Sequence, residues 1–352
     1  MHSHPLNQIA QALVAPPLGI LAADESCGTM GRRFASIGVF SCETLRRLYR
    51  EMLVTTPGLN EFISGVILFD ETFRQSTVDG TRFVDVLLRA GILPGIKVDR
   101  GTKPFSGFPG EKITEGLDGL RERLADYQSR GARFTKWRAV IPVGATNLPT
   151  RNAMRANAAS LAQFAALSQD AGLVPIVEPE VLMDGSHSLQ RHEDVTTEML
   201  HWVFHALHEQ RVRLEGMLLK PNMVLPGTTS DQPAEPIQIA EATLRCLKRT
   251  VPAAVPGIVF LSGGQSPGQA TRNLNALNSL GPTPWQLSFS FGRALQAPAL
   301  TLWAGKAENV ATAQQALLLR ARCNSAARSG RYSVEMEQEE IRHESVAAPP
   351  TG

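Results

Sequence analysis

The sequence predicts an α/β fold, a (β/α)8 TIM barrel, on three observations. Apolar, β-branched-rich runs alternate with helical segments along the chain, eight such units follow one another, and no change of composition divides them. Strict alternation calls for a parallel sheet with helical crossovers, and eight units favour closure over an open sheet. A doubly wound sheet would carry Gly-x-Gly-x-x-Gly after its first strand, and Ala22-Ala23-Asp24-Glu25-Ser26 is no such loop.

In chain order, a short helix over 6–14 is stopped by Pro16-Pro17. Strands are expected at 19–24, 63–70, 93–99, 134–141, 174–180, 216–224, 257–263 and 286–291. Amphipathic helices are expected at 42–55, 81–90, 117–130, 151–171, 193–209, 236–250 and 267–280, with a long last helix over 307–325. Residues 1–328 therefore read as one barrel domain. Residues 329–352 differ: they are acidic, have no aromatic after Tyr332, and include Glu335, Glu337, Glu339, Glu340 and Glu344 before Pro349-Pro350-Thr351-Gly352. Nothing in them is expected to join a core, and they read as a mobile tail.

With 352 residues, 43% hydrophobic, the chain can bury a large core. A net charge of +2 argues against a nucleic-acid surface. Cys27, Cys42, Cys246 and Cys323 are far apart with no Cys-x-x-Cys, which reads as reduced thiols in the cytoplasm. No run approaches the ~20 apolar residues of a membrane helix, and Met1 to Ala15 has no basic region followed by an apolar run. A membrane partner is not expected.

The chemistry starts from lysines inside strands: Lys97 in Ile96-Lys97-Val98, Lys136 in Phe134-Thr135-Lys136-Trp137, and Lys220 in Leu218-Leu219-Lys220-Pro221-Asn222. A desolvated lysine tends to shed its proton, and a neutral amine attacks carbonyl carbon. Residues two apart on a strand share a face, so Lys97/Asp99, Lys136/Arg138, Glu178/Glu180, Lys220/Asn222 and Ser288/Ser290 form pairs, with Asp24 and Ser262 ending strands one and seven. Helices cover the outside of a barrel, so these polar faces must point into the lumen near its carboxyl end. The plainer reading of any single lysine is an exposed edge strand. It does not suit three lysines that each have apolar strand neighbours.

Two glycine turns suit an anion. Ser262-Gly263-Gly264 follows strand seven, and Phe291-Gly292-Arg293 follows strand eight and adds a guanidinium. Loops after these strands are the usual phosphate site of such barrels. Arg32-Arg33 after strand one offers a second basic cluster beside Lys97, unless it is a solvated pair at a helix start. His201, His205 and His208 share one helix face opposite Val195, Met199, Trp202, Val203 and Ala206, so a solvated face is the better reading than a metal site. No metal ligand set and no cofactor is expected.

Together the segments Leu21–Ser26, Gly95–Asp99, Glu115–Leu120, Lys136–Arg138, Val177–Glu180, Leu219–Met223, Leu261–Ser266 and Gly292–Gln296 resemble the class I (Schiff-base) fructose-bisphosphate aldolases, from about Ile20 to Tyr332. The resemblance implies reversible, metal-independent cleavage of fructose 1,6-bisphosphate into glycerone phosphate and glyceraldehyde 3-phosphate. By motif it implies Lys220 as Schiff-base former, Glu178 as acid/base for carbinolamine chemistry, and Asp24 as acceptor of the substrate hydroxyl proton. Lys136 and Arg138 place charge, with Glu180 supporting them. Ser262, Gly263, Gly264, Ser290 and Arg293 match one phosphate site; Arg33 and Lys97 lie near the other. Sugar phosphates as partners and a homotetramer are implied in the same way. The chain departs from common family residues at Arg32, at Phe291 and in its last residues, which lack a tyrosine. Another Schiff-base barrel, such as a transaldolase or a keto-acid lyase, and a scaffold on a retained barrel are the alternatives.

Overall fold

The computed structural model describes residues 4–144 and 148–337. Helix α1 (Pro5–Leu13) precedes strand β1 (Gly19–Ala23), helices α2 (Cys27–Ala35) and α3 (Glu43–Val54), and strand β2 (Ile63–Leu68). Then come α4 (Asp70–Arg74), α5 (Phe83–Arg89), β3 (Leu93–Lys97), a small hairpin of β4 (Thr102–Pro104) and β5 (Lys112–Thr114), and α6 (Leu120–Ser129). Strand β6 (Phe134–Ile141), α7 (Arg151–Asp170), β7 (Val174–Val181), α8 (Leu189–Glu209) and β8 (Leu218–Leu219) follow. The chain continues through α9 (Pro236–Thr250), β9 (Gly257–Phe260), α10 (Pro267–Ser279), β10 (Gln286–Phe291), α11 (Arg293–Trp303) and α12 (Val310–Ala327).

Strands β1, β2, β3, β6, β7, β8, β9 and β10 close into a parallel barrel, with β10 pairing back onto β1. The expected (β/α)8 barrel is therefore the fold. Its amino-terminal end is a plug. Leu6, Ala10, Leu13 and Val14 of the α1 segment pack on Ile20, Ile67, Phe134, Val174, Ile176, Leu218 and Val259. Phe134 fills the lumen where its neighbours have no side chains. A Cβ at Gly95 would lie 2.2 Å from its ring, and one at Gly65 would lie 2.8 Å from Leu13. A second cluster of apolar residues joins the outside of the barrel to its helices.

Along β7 the inward face reads Val174, Ile176, Glu178, Glu180: apolar in the lower half and charged in the upper. Parallel register sets Lys97 beside Lys136 and Arg138 beside Glu178, which gathers the charges at the carboxyl end.

Several strands are shorter than the sequence suggests. The run 216–224 is buried throughout, yet only Leu218–Leu219 pairs as strand. Lys220 N–H still donates to Val177 O at 2.8 Å, and Pro221, without an N–H, ends the ladder there. Asp24, Asp99, Lys220 and Ser262 thus stand just past their strands, on the rim.

Helices α2, α4 and α11 and the β4–β5 hairpin were not expected. Glycines at 28 and 31 mask α2, which is capped by the Ser26 hydroxyl, and Pro298 sits inside α11. The segment after Ser329 also differs. Tyr332 is buried, its hydroxyl donates to Glu337 at 2.7 Å, and Glu337 pairs with buried Arg320 of α12 at 2.5 Å. Tyr332 joins the core and Met336 packs against it, which the acidic composition had concealed; 338–352 lie outside the described residues. Among the described residues, no helix is long and apolar enough to cross a membrane.

Candidate active site

Four of the expected residues meet at the carboxyl rim. Lys136 Nζ lies 2.6 Å from Asp24 Oδ2 and 2.9 Å from Glu178 Oε2, and Lys220 Nζ lies 3.3 Å from Glu178 Oε1. All four are buried; Lys220 is only 3% exposed. They come from β6 and β7 and from the residues just past β1 and β8, and the barrel alone brings such distant sequence positions together.

The two lysines are driven in opposite directions. Burial lowers the proton affinity of Lys220, and the charge of Lys136 adds to this, outweighing the pull of Glu178. Burial acts against charged Lys136 as well, but there Asp24, Glu178 and Asp99 overcome it and hold the ammonium charged. Asp24 and Glu178 titrate below the usual carboxylate range: burial opposes this, and Lys136 and Lys220 prevail. One buried amine is a permanent cation, and its neighbour can act as a nucleophile.

Around this quartet each remaining charge has its own partner. Arg138 Nε pairs with Glu180, and Lys97 Nζ pairs with Asp99 Oδ1 and donates to Asp99 O at 3.1 Å. Arg33 pairs with Glu25. Arg33 and Lys97 are thus held by separate carboxylates, and the charge of Lys97 is felt at Asp24 in the quartet.

Past β9 on the same rim, Gln265 N–H donates to Ser262 O at 3.1 Å and closes the turn in which Gly263 has φ +56. Only glycine adopts this conformation freely. Arg293 reaches across from the start of α11 to donate to Gly263 O at 2.7 Å. Ser290, 1% exposed, has an Oγ without a partner among the described residues. An unused buried hydroxyl, two glycine amides and a guanidinium are a fitting set for a phosphate group.

The chain matches the family model for fructose-bisphosphate aldolase class-I over residues 5–349. It belongs to the class-I fructose-bisphosphate aldolase family. It is 53% identical to a probable fructose-bisphosphate aldolase class 1 of Xanthomonas axonopodis pv. citri (strain 306), over 93% of this chain and 98% of that protein. It is 57% identical to fructose-bisphosphate aldolase 6, cytosolic, of Arabidopsis thaliana, over 90% of this chain and 88% of that protein. Its fold matches the fructose-bisphosphate aldolase of Plasmodium falciparum, solved in complex with TRAP and a small-molecule inhibitor. There the TM-score is 0.92 and the identity 48%, covering 94% of this chain and 95% of that one.

This aldolase also has a polar group that sequence reading did not assign to the site. Glu25, next to Asp24, accepts Gln296 Nε2 at 2.8 Å and pairs with Arg50 at 2.7 Å, besides holding Arg33. Arg50 is 2% exposed, on a helix otherwise buried through Tyr49, Met52 and Leu53. The signal in the sequence was one arginine among apolar residues at helical spacing. Gln296 lay in a helix that Pro298 disguised. The histidines at 201, 205 and 208 are exposed, as the amphipathic pattern suggests. Among the described residues no group of three or more His, Cys, Asp or Glu is placed to hold a metal ion.

Proposed function

We propose that this chain is a lysine-dependent fructose 1,6-bisphosphate aldolase, a lyase of glycolysis and gluconeogenesis, with Lys220 as the nucleophile. The observation that carries the reading is the buried quartet, in which Lys220 has a lowered proton affinity beside a carboxylate and a permanent cation.

Neutral Lys220 attacks the ketone carbon of the open-chain sugar, and a proton moves to the former carbonyl oxygen. Glu178, within reach of Lys220, hands the proton it took from the Lys220 ammonium to that hydroxyl, which leaves as water, and an iminium remains. Asp24 takes the proton from the substrate hydroxyl on the far carbon of the bond that breaks. That oxygen becomes the aldehyde of glyceraldehyde 3-phosphate, and the bonding electrons pass into the iminium as an enamine. Protonation of the enamine carbon and hydrolysis then return glycerone phosphate and free Lys220. Lys136 stays charged throughout and orients both carboxylates. Burial strengthens each of these interactions.

Ser262, Gly263, Gly264, Ser290 and Arg293 are assigned to one phosphate, and Arg33 and Lys97 to the other. Arg138, held by Glu180 and partly exposed, is assigned to placing charge beside the substrate. Two separate phosphate-binding sets on the carboxyl rim favour a bisphosphate over the one-phosphate substrates of a transaldolase. An intact quartet disfavours a scaffold.

Family membership and the name of the cytosolic Arabidopsis relative support a cytoplasmic location; a chloroplastic relative from Pisum sativum, 51% identical, marks the other compartment in use. A homotetramer is carried over on the same footing, and the single barrel domain is taken to run past residue 328 to include Tyr332.

The test is cleavage of fructose 1,6-bisphosphate with and without a chelator, scored by triose phosphate release. Equal activity in both arms is the expected result. Release that needs an added metal ion, or no release, contradicts the reading.

A further inference from the structure

Met183 lies two residues past the end of β7 and closes on the turn assigned to phosphate. The Gly264 N–H donates to its Sδ at 2.9 Å. A Cβ on Gly264 would lie 2.7 Å from the same sulfur, and one on Gly263 would lie 3.5 Å from it. The backbone of Met183 is pinned from both sides. Its carbonyl accepts Thr228 N–H at 2.8 Å, and the preceding Leu182 N–H donates to Ile141 O at 2.9 Å. Only the side chain is free to move, and it is half-buried, unbranched and adaptable.

We propose that Met183 is a specificity-determining residue for the phosphate at this turn: its thioether occupies the Gly264 amide and must leave before a phosphate oxygen can use that N–H. The inference rests on the assignment of the Gly263–Gly264 turn to phosphate made above. Thioether sulfur is a weak acceptor and an ionised phosphate oxygen a strong one, so the anion displaces the sulfur. It does so at reduced affinity, because the contact it breaks is subtracted from the one it makes. The guanidinium is already in place at Gly263 O, so the amide is the group that waits. Displacement is complete before bond cleavage starts and persists through it. The effect therefore falls on KM more than on kcat.

The test is calorimetric binding of inorganic phosphate to the full-length protein and to Met183→Ala, Met183→Leu and Arg293→Ala, with steady-state kinetics on fructose 1,6-bisphosphate. Met183→Ala is expected to bind phosphate about fivefold more tightly, the scale of one modest hydrogen bond. KM should fall by a similar factor while kcat moves much less. Met183→Leu keeps the bulk without the acceptor and should fall between wild type and alanine. Weaker phosphate binding by Arg293→Ala together with unchanged or weaker binding by both Met183 variants overturns the role of Met183 alone. Wild-type phosphate affinity in Arg293→Ala overturns the assignment of the turn, and the inference with it.

Discussion

Lys220 and Lys136 end on the two oxygens of one carboxylate: Glu178 meets the first at 3.3 Å on Oε1 and the second at 2.9 Å on Oε2. A single acid thus lies between an amine pushed toward neutrality and an ammonium held charged. Burial acts on both lysines, so the difference comes from neighbours. Lys136 has two carboxylates at close range and Lys220 has one, with a cation beyond it.

Removing the Lys136 charge should therefore be felt at Lys220. In Lys136→Met the cation that helps lower the Lys220 proton affinity is gone, while Glu178 and Asp24 remain. The acid limb of the kcat/KM pH profile should move to higher pH, and turnover should fall by at least about 10²-fold, the scale of losing one preorganised charge at the reacting centre. An unmoved limb with normal turnover would separate the two lysines.

The barrel floor should tolerate change in neither direction. Phe134→Ala empties the plug and should cost about 3–5 kcal/mol in urea unfolding. Gly95→Ala overfills it, because the new Cβ would lie 2.2 Å from the Phe134 ring. Its cost should be at least about 1–3 kcal/mol. The double variant, with a small residue at both positions, should lose less than the sum of the two.

Buried His192 gives a pH dependence with a fixed sign. Burial brings its pKa from 6.5 to about 3, with the neighbouring His187 ring acting the same way. Its Nδ1 accepts the Leu225 N–H at 3.1 Å, which requires the neutral ring. Between about 3 and 6.5 the unfolded chain binds a proton that the folded one refuses, so this group makes stability rise with pH through that window and level off above it. The depressed carboxyls of Asp24 and Glu178 act in the same direction lower down. Their contribution is present above the unfolded carboxyl value of about 4 and is lost as pH falls through their folded values. Urea midpoints measured from pH 4 to 7 should have a shallower slope in His192→Gln than in wild type.

The repeating features were legible in the sequence, and the exceptional ones were not. Period-two pairs such as Glu178/Glu180 and Lys136/Arg138 report which residues share a face, because strand geometry is local. That pattern places Lys136 and Glu178 on inward faces, whereas Asp24 belongs to no such pair. Pairing is not local: nothing in the chain says that Arg33 rests on Glu25, or that Arg50 and Gln296 converge there from α3 and α11. Strand ends were overextended because Lys220-Pro221-Asn222 is buried like a strand without being hydrogen-bonded as one. Tyr332 was read with its acidic surroundings, although the partner that buries Glu337 is Arg320, seventeen residues away along the chain.

The most direct measurement is reduction with borohydride in the presence of glycerone phosphate, followed by mass spectrometry of the peptides. A covalent adduct on the peptide carrying Lys220, lost in Lys220→Ala, is the result this account predicts. A folded protein that traps nothing, or an adduct on Lys136 or Lys97 instead, would contradict it.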